Sequence, residues 1–65
     1  SMATGKGCVW VRGIANADVT IVSIAGRVQA RQRISGDTRI DVPAGIYVVV
    51  LESGSDVKRV KVIVK

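Results

Sequence analysis

Apolar and polar residues alternate in short runs along this chain, and glycine-containing corners separate the runs. The corners fall at 13–18, Ala25-Gly26-Arg27, Ser35-Gly36-Asp37, Pro43-Ala44-Gly45 and Ser53-Gly54-Ser55-Asp56. Glycine supplies positive φ at such places, and Asn, Asp and Ser bond their own backbone. The segments between them, 8–14, 18–25, 27–34, 38–42, 45–52 and 57–65, are rich in β-branched residues and predict strands. No segment carries a 3.6-residue apolar stripe long enough for a helix. Short strands with regular turns predict an all-β sandwich or barrel.

The period of two assigns faces. In 27–34, Val28, Ala30, Gln32 and Ile34 share one face, and Arg27, Gln29, Arg31 and Arg33 share the other. In the last strand Val60, Val62 and Val64 oppose Arg59, Lys61, Ile63 and Lys65. Segment 18–25 is intermediate, with Val19 and Ile21 against Val22 and Ile24. The run Ile46-Tyr47-Val48-Val49-Val50-Leu51 is apolar on both faces, which predicts a central strand or one covered on its outer side. The basic faces of 27–34 and 57–65 form one surface if the two strands share a sheet. They form two separate solvated faces if they do not.

Composition narrows the chemistry. With 65 residues the chain is one domain at most, too small to combine a core with a catalytic cleft easily. It has no histidine and one cysteine, which excludes Ser-His-Asp and Cys-His devices and argues against a His/Cys metal site. No metal or other cofactor is expected, and the chain reads as non-enzymatic. Cys8 has no internal disulfide partner and reads as a small buried strand residue. Gly5-Lys6-Gly7 lacks the spacing and the following Ser or Thr of a phosphate loop. Asp18, Asp37, Asp41, Glu52 and Asp56 fall at turns and strand ends, with no acid–base pairing legible among them. No apolar run approaches the roughly 20 residues of a membrane span, so direct membrane insertion is not expected. Ser1-Met2 reads as a cloning remnant and Ala3-Thr4-Gly5 as a flexible lead-in, which places the domain at 6–65.

Three motifs stand out. Ser23-Ile24-Ala25-Gly26-Arg27 predicts a tight hairpin with one left-handed residue at Gly26. In Val42-Pro43-Ala44-Gly45-Ile46-Tyr47, Pro43 fixes φ, Gly45 is expected to reverse the chain, and Tyr47 is placed to bury its ring and direct its hydroxyl at a backbone partner. Lys58-Arg59-Val60-Lys61-Val62-Ile63-Val64-Lys65 is a basic alternating strand. Its charges either protect a sheet edge or mark an edge that another strand joins.

In order and spacing, Ala25-Gly26-Arg27, Pro43-Ala44-Gly45-Ile46-Tyr47-Val48-Val49 and Lys61-Val62-Ile63-Val64-Lys65 resemble the C-terminal sorting domain of the bacterial type IX secretion system. The resemblance runs from Ile21 to Lys65. It implies an immunoglobulin-like β-sandwich of six to seven short antiparallel strands. It also implies recognition residues at Gly26, Arg27, Pro43, Gly45, Tyr47, Lys61, Val62 and Lys65. The implied partners are the type IX translocon, sortase-like components and a passenger protein N-terminal to the domain. The implied itinerary is the periplasm in transit, then the outer membrane, the cell surface or the medium. In many members a sortase-like peptidase removes the domain and joins the passenger to anionic lipopolysaccharide. The Tyr-Pro-Asn-Pro segment that often opens the family has no counterpart here. Either the first strand is missing or the chain belongs to a divergent branch of the family; if the strand is missing, edge pairing into a homodimer is the expectation for the isolated fragment.

Two other readings belong to different classes. The net charge of +5 and the Arg27-Gln29-Arg31-Arg33 face suggest a small nucleic-acid-binding barrel. Such barrels stack bases on aromatic rings, and Trp10 and Tyr47 are the only candidates, so no nucleic-acid partner is expected. The third reading is a structural or adhesive sandwich domain whose role does not depend on Arg27 or Lys65.

Overall fold

The computed structural model describes every residue from Ser1 to Lys65. It contains seven strands and no helix: β1 (Met2–Gly5), β2 (Cys8–Val11), β3 (Ala17–Ser23), β4 (Val28–Ile34), β5 (Thr38–Asp41), β6 (Gly45–Ser53) and β7 (Asp56–Val64). They form two antiparallel sheets of order β1-β2-β5 and β4-β3-β6-β7. This is an immunoglobulin-like sandwich. β4 lies beside β3, whereas in constant-type immunoglobulin domains the fourth strand joins the other sheet. The turn between β3 and β4, residues 24–27, is too short to carry the chain across, so the two strands pair as a hairpin.

The inner faces close on one core. Val9, Val11, Ile40 and Val42 come from the three-stranded side. Ala17, Val19, Ile21, Ile34, Tyr47, Val49, Leu51 and Val64 come from the four-stranded side. Val9, Val11, Ile21 and Val49 are wholly excluded from solvent, and no buried polar or charged residue accompanies them. Alternation accounts for this set, because β3 and β6 bury every second residue. β6 lies between β3 and β7, the central position its two-sided apolar run predicts.

Three expectations are corrected. Residues 2–5 are not a flexible lead-in: they form β1, with Met2 opposite Val11 and Gly5 opposite Cys8. Ser1 extends the pairing, since its nitrogen donates to the Arg12 carbonyl oxygen at 2.6 Å and its own carbonyl accepts from the Arg12 N–H at 2.9 Å. The fold thus starts at residue 2 and has a first strand. Second, the expected strand 8–14 ends at Val11, and Gly13 turns away with its N–H donated to Asp37 Oδ1 at 2.9 Å. Third, Val28 does not share the inner face of Ala30 and Ile34. Ile21 pairs with Ala30 but Val22 pairs with Val28, so Gln29 is an extra residue in the ladder. That bulge flips the strand beyond it and turns Val28 outward, where it is 59% exposed.

Candidate functional site

The sandwich brings the three sequence motifs to one end. Gly26 has φ +85, a conformation that favours glycine, and its N–H donates to the Ser23 carbonyl at 2.9 Å. The Ser23 N–H donates to the Arg27 carbonyl at 2.8 Å, and the Arg27 N–H reaches Ser23 Oγ at 3.2 Å. This is the hairpin expected from the sequence. Ser23 in turn lies opposite Tyr47, and Tyr47 opposite Val62. Arg27, Ser23, Tyr47 and Val62 therefore form one transverse row through β3, β6 and β7.

The Pro43–Tyr47 corner seals that end. Tyr47 is buried, and its hydroxyl donates to the Pro43 carbonyl at 2.6 Å. Gly45 does not act by reversing the chain. It is the first residue of β6, outside the positive-φ region, and a Cβ there would meet the Tyr47 ring and hydroxyl at 3.3 Å. Glycine leaves room for the tyrosine, which folds back over it, and a larger residue would require the ring to shift by a few tenths of an ångström. Beside this corner the Gly7 N–H donates to the Lys65 carbonyl at 2.8 Å, and the Gly7 carbonyl accepts from Val42 N–H at 3.1 Å. The β1–β2 turn thus ties the end of β7 to the residue before Pro43, joining the two sheets.

The eight candidate residues divide by role. Gly26, Pro43, Gly45, Tyr47 and Val62 shape the end: a turn, a corner, and two side chains directed inward. Arg27, Lys61 and Lys65 are exposed cations carried on that frame. Lys61 pairs with Val48 and lies on the outer face of the four-stranded sheet. None of the three has a carboxylate within ion-pair distance. The only ion pairs are Arg33–Asp18 at 3.3 Å and Arg39–Asp41 at 3.0 Å.

The register also answers whether the basic strands share a surface. β4 and β7 are the two edges of one sheet, and Arg31, Thr20, Val50 and Arg59 form a row across its outer face. Val28, Val22, Val48 and Lys61 form the neighbouring row. Ile46 lies opposite Ile63, and Ile24 donates its N–H to the Ile46 carbonyl at 3.3 Å. The basic residues are therefore separated by an apolar strip and do not form a continuous positive surface. That strip is the feature missing from the sequence reading. Its one signal was the two-sided apolar run of 46–51, which is central as expected but uncovered on its outer side.

The aromatic residues sit apart. Tyr47 is in the core. Trp10 lies on the outer face of the three-stranded sheet, with the Arg12 guanidinium 4.9 Å and the Arg39 guanidinium 5.9 Å from its ring centre. No row of stacking platforms results. Two shallow grooves run where the β1 and β7 edges meet, one beside Thr4, Gly5, Lys6 and Lys65, the other along Met2–Thr4 and Val60–Ile63.

Neither a curated protein nor a solved structure matches this chain. A family model described as a domain of unknown function, DUF6383, matches residues 1–64, and the chain belongs to that family.

Proposed function

We propose that this chain is a non-catalytic sorting module, one that directs a passenger protein joined at its N-terminal side through the type IX outer-membrane translocon to the cell surface. The DUF6383 description neither names that system nor assigns an activity. The observation that carries the reading is the convergence of the three motifs, far apart in the chain, at a single end of the sandwich. A signal read by a translocon needs a rigid frame and a chemically distinctive exposed end. Here Tyr47 and Gly7 supply the frame, and Arg27, Lys61 and Lys65 supply the exposed charge. β1 starts beside Arg12 at the opposite end, so a passenger joined there leaves the motif end free.

The test is a periplasmic reporter fused ahead of Ser1 in a host with the secretion system. Combining Arg27→Glu, Lys61→Glu and Lys65→Glu changes exposed side chains and keeps the fold, which circular dichroism checks. The expected outcome is retention of the reporter in the periplasm. Surface delivery of a folded triple variant at the unaltered level overturns the reading, and would favour a structural or adhesive domain instead.

A further inference from the structure

The outer face of the four-stranded sheet holds every large hydrophobic residue that the fold leaves exposed: Ile24 (69%), Val28 (59%), Ile63 (59%), Val57 (50%) and Ile46 (36%). Four of them, with half-buried Val22, Val48 and Val50, gather in the half nearest the β3–β4 turn. Arg31 on β4 and Arg59 and Lys61 on β7 flank this strip from both edges, and none has an ion-pair partner. The two acidic residues of the face, Asp18 and Glu52, both lie in the far half, in the row Arg33, Asp18, Glu52, Val57, where Arg33 already holds Asp18.

We infer that this half-face is a docking site for a short protein segment that combines aliphatic and acidic side chains. Four arguments select that occupant. Its centre is aliphatic, and its edges offer three unpaired cations, Arg31 on one and Arg59 and Lys61 on the other, the edges being about 14 Å apart across three strand spacings of about 4.8 Å. An occupant must therefore carry apolar side chains in the middle and carboxylates toward both margins. A second copy of this chain fits poorly. Face-to-face docking opposes Arg31, Arg59 and Lys61 to their equivalents, with Glu52 the one unpaired carboxylate on the face to offset them. The area is also small. A patch about 15 Å on a side is well under the roughly 800 Å² per partner of a standard stable interface, and suits a segment better than a globular surface. An anionic bilayer is the less favoured occupant, because interfacial binders sink Trp, Phe or Leu into the headgroup layer. This face is β-branched, and its rows contain no aromatic residue. The inference rests on this face and not on the sorting reading.

The full 65-residue chain, immobilised, is used to select from a display library of short random peptides. Enriched peptides are then titrated by fluorescence anisotropy at low and at physiological salt. The expected result is enrichment of Asp or Glu together with Val, Ile or Leu, with affinity that falls as salt rises. Combining Arg31→Glu, Arg59→Glu and Lys61→Glu should weaken binding at least about tenfold. Combining Ile24→Thr, Val28→Thr and Ile63→Thr should do the same without altering charge. If the charge-reversed chain does not fold, glutamine replaces glutamate at the three positions and the same loss is expected. Four outcomes overturn the inference: no enrichment, enrichment without acidic residues, binding indifferent to both sets of variants, or binding confined to phosphatidylglycerol vesicles. Concentration-dependent dimerisation abolished by the threonine variant also overturns it, by making this face a contact between copies. Dimerisation that survives that variant belongs to the strand edges and leaves the peptide result to decide.

Discussion

On the outer face of the three-stranded sheet, Cys8 is buried although it points away from the core. Gly5 lies opposite it, and a Cβ at Gly5 would stand 2.8 Å from Cys8 Sγ and 3.7 Å from Trp10 Nε1. The thiol and the Trp10 indole thus flank the same space above Gly5, the guanidinium groups of Arg12 and Arg39 approach the indole ring, and Arg39 also holds Asp41. On the outer face of the four-stranded sheet nothing comparable happens. Val48 and Val50 lie in the middle of β6, half-buried, and their cross-strand neighbours are other β-branched residues or cations. Both faces carry apolar and basic residues. One has a tryptophan beside a glycine at its centre, and the other has short branched side chains at its centre with its long cationic side chains on the two edge strands. The difference is where the large side chain sits, and the face whose centre has none leaves its aliphatic residues exposed.

The largest expected effect breaks the covered face. Trp10→Ala removes the large side chain beside Cys8 and the ring that two guanidinium groups approach. For a half-buried tryptophan with such contacts the expected loss is about 2 kcal/mol, below the 3–5 kcal/mol of a fully buried one. Urea denaturation measures it. The same variant should raise the labelling rate of Cys8 by a disulfide reagent in the folded state. A rate unchanged from the parent would mean that backbone, and not Trp10, shields the thiol.

Next comes Gly5→Ala. The added methyl meets Cys8 Sγ at a separation that real contacts avoid, so either the thiol rotates or β1 shifts away from β2. A loss of about 1–2 kcal/mol is expected from overpacking. Combining it with Cys8→Ala should recover most of that loss, because the pair shares one space.

The open face should respond in the opposite sense. Ile24→Thr with Ile63→Thr alters two residues that are mostly in water already, so stability should change by no more than about 0.5 kcal/mol. What should change is surface stickiness: binding of a hydrophobic dye should fall and the onset of aggregation should move to higher concentration. A drop of 2 kcal/mol would show that these side chains support the fold, and the face would no longer count as free.

Much of this architecture is written in the period-two pattern, and the exceptions have local causes. The strands at 27–34 and 57–65 follow from alternation and turn residues, and so does the inward face of Ile34 and Val64. Segments 18–25 and 45–52 are legible as strands from their β-branched residues between turns, but they carry apolar residues on both faces, so only the fold selects Val19, Ile21 and Val49 for the core. β1 escaped because Ala3-Thr4-Gly5 has neither alternation nor bulk. It is a strand because β2 offers it a backbone ladder and because Gly5 leaves room for Cys8. The outward turn of Val28 depends on one extra residue at Gln29, which the spacing of apolar residues does not reveal. The Gly26 turn and the hydroxyl contact of Tyr47 were legible, since each is local in sequence. The open apolar face was not. It depends on strand order, because β4 and β7 share a sheet with β3 and β6 between them only after the whole chain is laid out.

The smallest effect on stability carries the sharpest information about the open face. Asp18 and Arg33 are both well exposed, so their pair at 3.3 Å contributes little. Asp18→Asn should change stability by no more than about 0.5 kcal/mol. It nevertheless removes one of the two carboxylates on this face and releases Arg33, so a fourth unpaired cation joins Arg31, Arg59 and Lys61. If unpaired positive charge is what an acidic segment reads, Asp18→Asn should bind the selected peptides more tightly and with a steeper salt dependence, about two- to fivefold at low salt. Unaltered affinity would confine recognition to the half-face near the β3–β4 turn, because the far row would then lie beyond the peptide's reach.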